Sequence, residues 1–194
     1  MATGEFRVVP YEEWQRDALR SVCLSAASER ARTDALHARF TLLMYCDAYL
    51  ERGIAYTLLD GSTRPVGYVL CAKDARAWRA AFEPWRQKIE ELGGDYAERA
   101  AEELDFYESV ADDFAAHLHI DIAEECTGRG AGRMLIEALL DRLRTEGVNG
   151  VVFGVAAANE RAVGFYRHMG FEQLSEYGEG EGLTFCMRLS ADRC

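Results

Sequence analysis

Three glycines alternate with Arg129, Ala131 and Arg133 in the stretch TGRGAGR at 127–133, between an alternating strand pattern and a helical one. A glycine-rich turn that opens into a helix presents unpaired backbone N–H groups together with the positive end of the helix dipole, which makes an anion site. Upstream, HLHIDI at 117–122 puts Leu118, Ile120 and Ile122 on one strand face and His117, His119 and Asp121 on the other. Downstream, the strand pattern VVFGVA leads into NERAVGFYRHMGF, with Asn159 at a helix start and Tyr166 two turns in. Chemistry on a phosphate-bearing cofactor is the leading reading of 117–171.

Two familiar phosphate binders fail on this loop. A P-loop needs Gly-Lys-Ser or Gly-Lys-Thr at its end, and none follows. A dinucleotide fingerprint counted from Gly128 meets Arg133 at its third glycine, counted from Gly130 it meets Leu135, and the next strand ends in Val155 and Ala156 instead of an acid. The polar face of 117–122 leaves three readings open. His-x-His beside a carboxylate can bind a metal, but no further ligand set accompanies it. It can line an active-site strand, with Asp121 or His119 accepting a proton. Its imidazoles can also be merely hydrogen-bonded, while the place of Asp121 next to the glycine loop favours a role in chemistry.

These residues need a framework, and the rest of the chain supplies the pattern of an α/β protein. A first strand is predicted over 5–9, ended by Pro10, then helices over 11–27 and 34–50. Strands at 54–59 and 66–72 flank DGSTRP and predict a hairpin. Residues 74–113 turn to Ala, Glu, Arg and aromatics at helical spacing, with GGD at 93–95 as a break between two helices. That segment carries twelve acidic against five basic residues. Its charge reads either as solvated helix faces or as an acidic lid that attracts a cation. Trp78, Phe82, Trp85, Phe106 and Tyr107 read as its packing anchors. Leu135, Ile136, Leu139, Leu140 and Leu143 form the core stripe of the helix after the glycine loop, stopped by Gly147. Two final strands at 171–175 and 183–189 join through YGEGEG.

The 194 residues, 49% hydrophobic, suit one domain with 74–113 as an insertion. The net charge of -11 argues against general nucleic-acid binding. No window is apolar enough for a membrane span, no secretion signal opens the chain, and a cytoplasmic protein is expected. Six scattered cysteines without close pairing read as reduced thiols.

The spacing Thr127, Gly130, Gly132 before a helix, followed by Asn159, Phe165-Tyr166 and Gly170-Phe171, resembles the two signatures of the GCN5-related N-acetyltransferase (GNAT) superfamily. Thr127 departs from the Gln or Arg that this family places there. HLHIDI, the glycine loop and FYRHMGF are also similar to the acetyltransferase-like domain attached to eukaryotic O-GlcNAc hydrolases and to its bacterial relatives. The resemblance implies the GNAT fold: a mixed central sheet of about six to seven strands flanked by helices, with the helical insertion before the fourth strand. It implies acetyl-CoA as cofactor, an amine acceptor as partner, and a possible homodimer. Backbone N–H groups of Gly128, Arg129, Gly130, Ala131 and Gly132 would hold the pyrophosphate, with Arg129 and Arg133 supplying charge near the phosphates and Thr127 opening the loop. Backbone groups around Ile120 and Ile122 would hold the pantetheine arm, with Asn159 and Phe165 beside the cofactor. Tyr166 would be the general acid, and Asp121 the base or ammonium anchor, with His119 second. A CoA-binding module without transfer activity is the alternative.

Overall fold

The computed structural model describes residues 6–189. Seven strands, β1 (Arg7–Pro10), β2 (Ile54–Leu59), β3 (Pro65–Ala72), β4 (Ala116–Ile122), β5 (Gly150–Ala156), β6 (Glu172–Tyr177) and β7 (Gly182–Arg188), form one sheet in the order β1-β2-β3-β4-β5-β7-β6. All neighbours are antiparallel except β4 and β5, so the sheet is mixed as expected. The first strand begins at Arg7, and Glu5 lies outside the described residues. The predicted hairpin is β2–β3, where the Asp60 carboxylate accepts from the backbone N–H groups of Ser62 and Arg64 at 2.9 and 3.0 Å and fixes the turn.

Nine helices flank the sheet among the described residues: α1 (Arg16–Ala26), α2 (Glu29–Thr33), α3 (Ala35–Leu42), α4 (Ala48–Arg52), α5 (Ala75–Ala81), α6 (Glu83–Glu90), α7 (Tyr96–Ser109), α8 (Ala131–Thr145) and α9 (Glu160–His168). The helix predicted over 11–27 is shorter, since a 3-10 turn at Glu13–Gln15 precedes α1. The one predicted over 34–50 starts where Asp34 caps the N–H groups of Leu36 and His37. It is interrupted by a π-turn, Leu43–Asp47, that joins α3 to α4. One extra residue per turn rotates the side chains that follow, which an apolar period does not disclose.

Segment 74–113 holds three helices where two were expected. Besides the break at GGD, a second falls at Phe82, because Pro84 lacks an N–H and its ring belongs at a helix start. The anchors Trp78, Phe82, Trp85 and Tyr107 are buried, as read from their spacing.

The sheet divides two cores. On one face the α8 stripe of Leu135, Ile136, Leu139, Leu140 and Leu143 packs on Leu118, Val151, Phe153 and Phe185, and α9 adds Val163 and Tyr166. Each of those leucines removes apolar surface worth about 2–3 kcal/mol from water. On the other face α1, the α3–α4 helix and the insertion cover Tyr68, Leu70 and Ala72. Five cysteines, 23, 46, 71, 126 and 186, are buried free thiols, and Cys194 lies outside the described residues. No helix among the described residues is long and apolar enough to cross a membrane.

Candidate active site

The sheet is open at its centre. β4 and β5 pair only at Ala116 with Val151 and at His117 with Val152. Beyond that point β4 stays in register with β3 as far as Ile122, and β5 with β7 as far as Ala156. Backbone direction alternates along a strand. Ala123 donates its N–H to Val66 and the Ala115 carbonyl accepts from Ala75, so the odd residues of β4 turn towards β3. The even ones beyond the pairing, Ile120 and Ile122, therefore turn their N–H and C=O groups into the opening, where a ligand strand could pair with them.

The glycine loop closes the wide end of that opening. Gly128 and Gly130 have φ of 72° and 83°, conformations that favour glycine, and a Cβ at either would meet nothing within 4 Å. Gly130 caps α8 without a side chain, and the first ladder bond of that helix runs from Met134 N–H to the Gly130 carbonyl. The N–H groups of Ala131, Gly132 and Arg133 lie ahead of the ladder and are available to an anion. Gly132 serves differently: a Cβ there would come within 3.2 Å of the Phe165 ring and 3.6 Å of Ile122. Its bareness lets α8, α9 and the tip of β4 meet.

Neither flanking arginine is free. Arg133 pairs with Glu137 at 2.7 Å, and the Arg129 guanidinium lies 4.7 Å from the centre of the Phe6 ring. Thr127 instead receives a bond of 2.8 Å from Arg161 of α9, while donating its own hydroxyl to the Glu124 carbonyl. A guanidinium from α9 thus stands at the loop position where Thr127 carries no charge. No local pattern pointed to Arg161, since only folding brings it 34 residues back to Thr127.

Across the opening, α9 presents Tyr166. Asn159 caps this helix through the Ala162 N–H at 3.1 Å, as its position suggests. The Tyr166 ring packs edge-on to Phe153 at 4.5 Å and beside Phe171 and Phe185. Burial raises its hydroxyl above the ordinary tyrosine range, and the charge of Asp121 adds to the effect.

The polar face of β4 carries three environments. Burial pushes the Asp121 carboxyl up to about 6, against the pull of the Tyr68 hydroxyl, which donates to its Oδ2. His119 Nε2 lies 3.0 Å from the Tyr49 hydroxyl, and burial lowers its imidazole to about 4, so it is neutral near pH 7. His117 is fully enclosed, stacked on Tyr107 at 4.1 Å, with both ring nitrogens unpartnered. Burial holds it neutral as well. Among the described residues no three His, Cys, Asp or Glu side chains converge as metal ligands would. Asp121 and His119 thus remain the accessible basic groups of the strand, and Tyr68 is the partner that sequence spacing did not point to.

Comparison with known proteins agrees with this geometry. A family model described as acetyltransferase (GNAT) family matches residues 13–171. An L-methionine sulfoximine/L-methionine sulfone acetyltransferase of Pseudomonas paraeruginosa is 32% identical over 78 residues, covering 37% of this chain and 45% of that protein. A ribosomal protein bS18-alanine N-acetyltransferase of Salmonella typhimurium is 38% identical over 63 residues, covering 32% and 43%. The chain spans under half the length of these two relatives. The crystal structure of SsHAT superimposes with a TM-score of 0.80 at 26% identity, over 95% of this chain and 98% of that one. With the split sheet, the glycine cradle and a family match running from the turn before α1 to the end of α9, the chain belongs to the acetyltransferase (GNAT) family.

Proposed function

We propose that this protein transfers an acetyl group from acetyl-CoA to a primary amine by direct attack. The observation that carries the reading is the opening between β4 and β5, which ends on the glycine cradle and lies between Tyr166 and Asp121. Acetyl-CoA supplies the activated acyl group. The N–H groups of the 128–133 turn would hold its pyrophosphate, aided by Arg161, and the inward backbone groups of Ile120 and Ile122 would pair with the pantetheine arm. Asp121 would take the proton of the acceptor ammonium, directly or through a water, with His119 as second candidate. Tyr166 keeps its proton at neutral pH and would give it to the departing thiolate. The amine-acetylating relatives support an amine acceptor.

Calorimetric titration with CoA, followed by a thiol-release assay across amines and peptides, tests the reading. Absence of CoA binding sinks it, and binding without thiol release on any acceptor leaves a non-catalytic binding module. Tyr166→Phe is expected to lower turnover about 10²-fold while CoA affinity stays nearly constant; an equal fall in affinity would make Tyr166 a packing residue only. Tyr68→Phe leaves the burial of Asp121 unopposed. The acid limb of the rate profile should then move upward from near pH 6. An unmoved inflection would show that another group titrates.

A further inference from the structure

The acidic segment divides into an outer and an inner part. Outside, several of its acids meet arginines: Arg79 meets Asp105 and Glu108, Arg76 meets Asp112 at 2.9 Å, and Arg86 meets Glu83 at 2.7 Å. Those acids are solvated helix faces. Glu103, on the same helix α7, faces inward and forms no ion pair among the described residues. Its Oε2 accepts from the Tyr45 hydroxyl at 2.8 Å and its Oε1 from the Tyr107 hydroxyl at 3.3 Å. Arg99, the charge that acts on it, lies over the Phe40 ring at 5.1 Å instead of bonding to it.

What surrounds Glu103 is aromatic and joins the polar face of β4. Tyr45 sits on the π-turn, the kind of irregularity that recurs at functional sites because it re-aims a side chain. Its ring stands edge-on to His119 at 5.1 Å, one strand repeat from Asp121. On the far side Tyr177, 51% exposed at the end of β6, lies over Gly154 of β5. A Cβ at Gly154 would come within 2.9 Å of the Tyr177 hydroxyl, so the glycine makes room for that ring. Burial raises the hydroxyls of Tyr45, Tyr107 and Tyr177, and the charge of Glu103 adds to it at each. A carboxylate held by two tyrosine hydroxyls, bonded to no cation among the described residues and still partly open to solvent, suits an organic cation, which gains from the charge and from the half-buried Tyr45 ring beside it.

We propose that Glu103, positioned by the Tyr107 hydroxyl, forms with Tyr45 and Tyr177 a cation subsite of the acceptor cleft, and that the preferred acceptor is an amine carrying a second positively charged nitrogen. The inference rests on the acceptor side of the acetyltransferase reading. Asp121, bonded to Tyr68, would meet the nitrogen that reacts at the opening, and Glu103, bonded to Tyr45 and Tyr107, would anchor the second. Burial raises both carboxyls, and an arriving ammonium lowers the cost of their ionisation.

The test is calorimetric titration of the full chain, loaded with CoA, with diamines from 1,4-diaminobutane to 1,8-diaminooctane and with monoamines of matched length. At the best-fitting length the diamine is expected to bind at least about tenfold tighter than its monoamine. Glu103→Gln keeps an oxygen for the tyrosine hydroxyls but loses the charge, and should erase that preference without changing CoA affinity. Tyr177→Leu, with its melting temperature checked because the ring packs on Gly154 and Gly182, should weaken the diamine alone. Equal affinities for diamine and monoamine, or a preference that survives Glu103→Gln, would overturn the subsite and make Glu103 a clamp between helices. Because binding is read directly, failure of this inference is distinct from failure of acetyl transfer, which shows as no CoA binding or no thiol release.

Discussion

Replacing Asp121 with asparagine is expected to slow acetyl transfer about 10²- to 10³-fold and, at neutral pH, to make the folded protein more stable. Both effects come from the same burial. The carboxyl titrates near 6 in the fold, against about 3.9 in an unfolded chain. Below about pH 4 it is protonated in both states and carries no penalty. Between about pH 4 and 6 the unfolded chain releases its proton while the fold retains it, so stability falls as pH rises. Above about pH 6 the whole penalty applies, up to about 3 kcal/mol. The asparagine side chain carries no charge and keeps an oxygen for the Tyr68 hydroxyl. Thermal unfolding of the two proteins should therefore coincide near pH 4 and separate at pH 7, the variant melting higher. A variant that is slower but no more stable at pH 7 would show that Asp121 is well solvated, and the burial argument would fail.

The second large effect is expected at the cradle. Gly130 holds φ at 83°, where a β-branched side chain is strongly disfavoured, and its Cβ direction is empty space beside the free N–H groups of α8. Gly130→Val would have to abandon that backbone conformation, turning the N–H groups away from a common centre. We expect CoA affinity to fall about 10²-fold, or about 3 kcal/mol, by calorimetry. The core stripe of α8 lies on its opposite side, so the melting temperature should change little. An unchanged affinity would mean that the pyrophosphate is held elsewhere.

Much of this site lies open in the order of residues, because its parts are local. The glycine turn, the helix it starts, the cap at Asn159 and the position of Tyr166 each depend on neighbours within a few residues, and spacing rules apply there. The alternation of HLHIDI likewise separated the face of Leu118, Ile120 and Ile122 from that of His117, His119 and Asp121. Spacing did not separate the three polar residues from one another. The stacking of His117 on Tyr107 and the bond from Tyr68 to Asp121, 53 residues apart, decide which group is sealed and which is tuned. Glu103 was hidden for a similar reason. Its twelve-acid segment has an overall charge that hides one inward residue, and its partner Tyr45 is 58 residues away on a π-turn that no apolar period announces. The extra helix break in the insertion was legible in principle, since Pro84 marks it, but a lone proline reads equally well as the first turn of a helix.

The central sheet is held together across β4 and β5 by only two residue pairs. The backbone edges beyond them are hydrogen-bonding capacity that the chain leaves unused on itself. Any molecule that lies along those edges completes the sheet and becomes, for as long as it stays, a structural element of the protein. Its binding energy is then also folding energy, about 2.7 kcal/mol at a hundredfold excess over its dissociation constant. A cell rich in such a ligand would hold this protein folded more securely than a starved one.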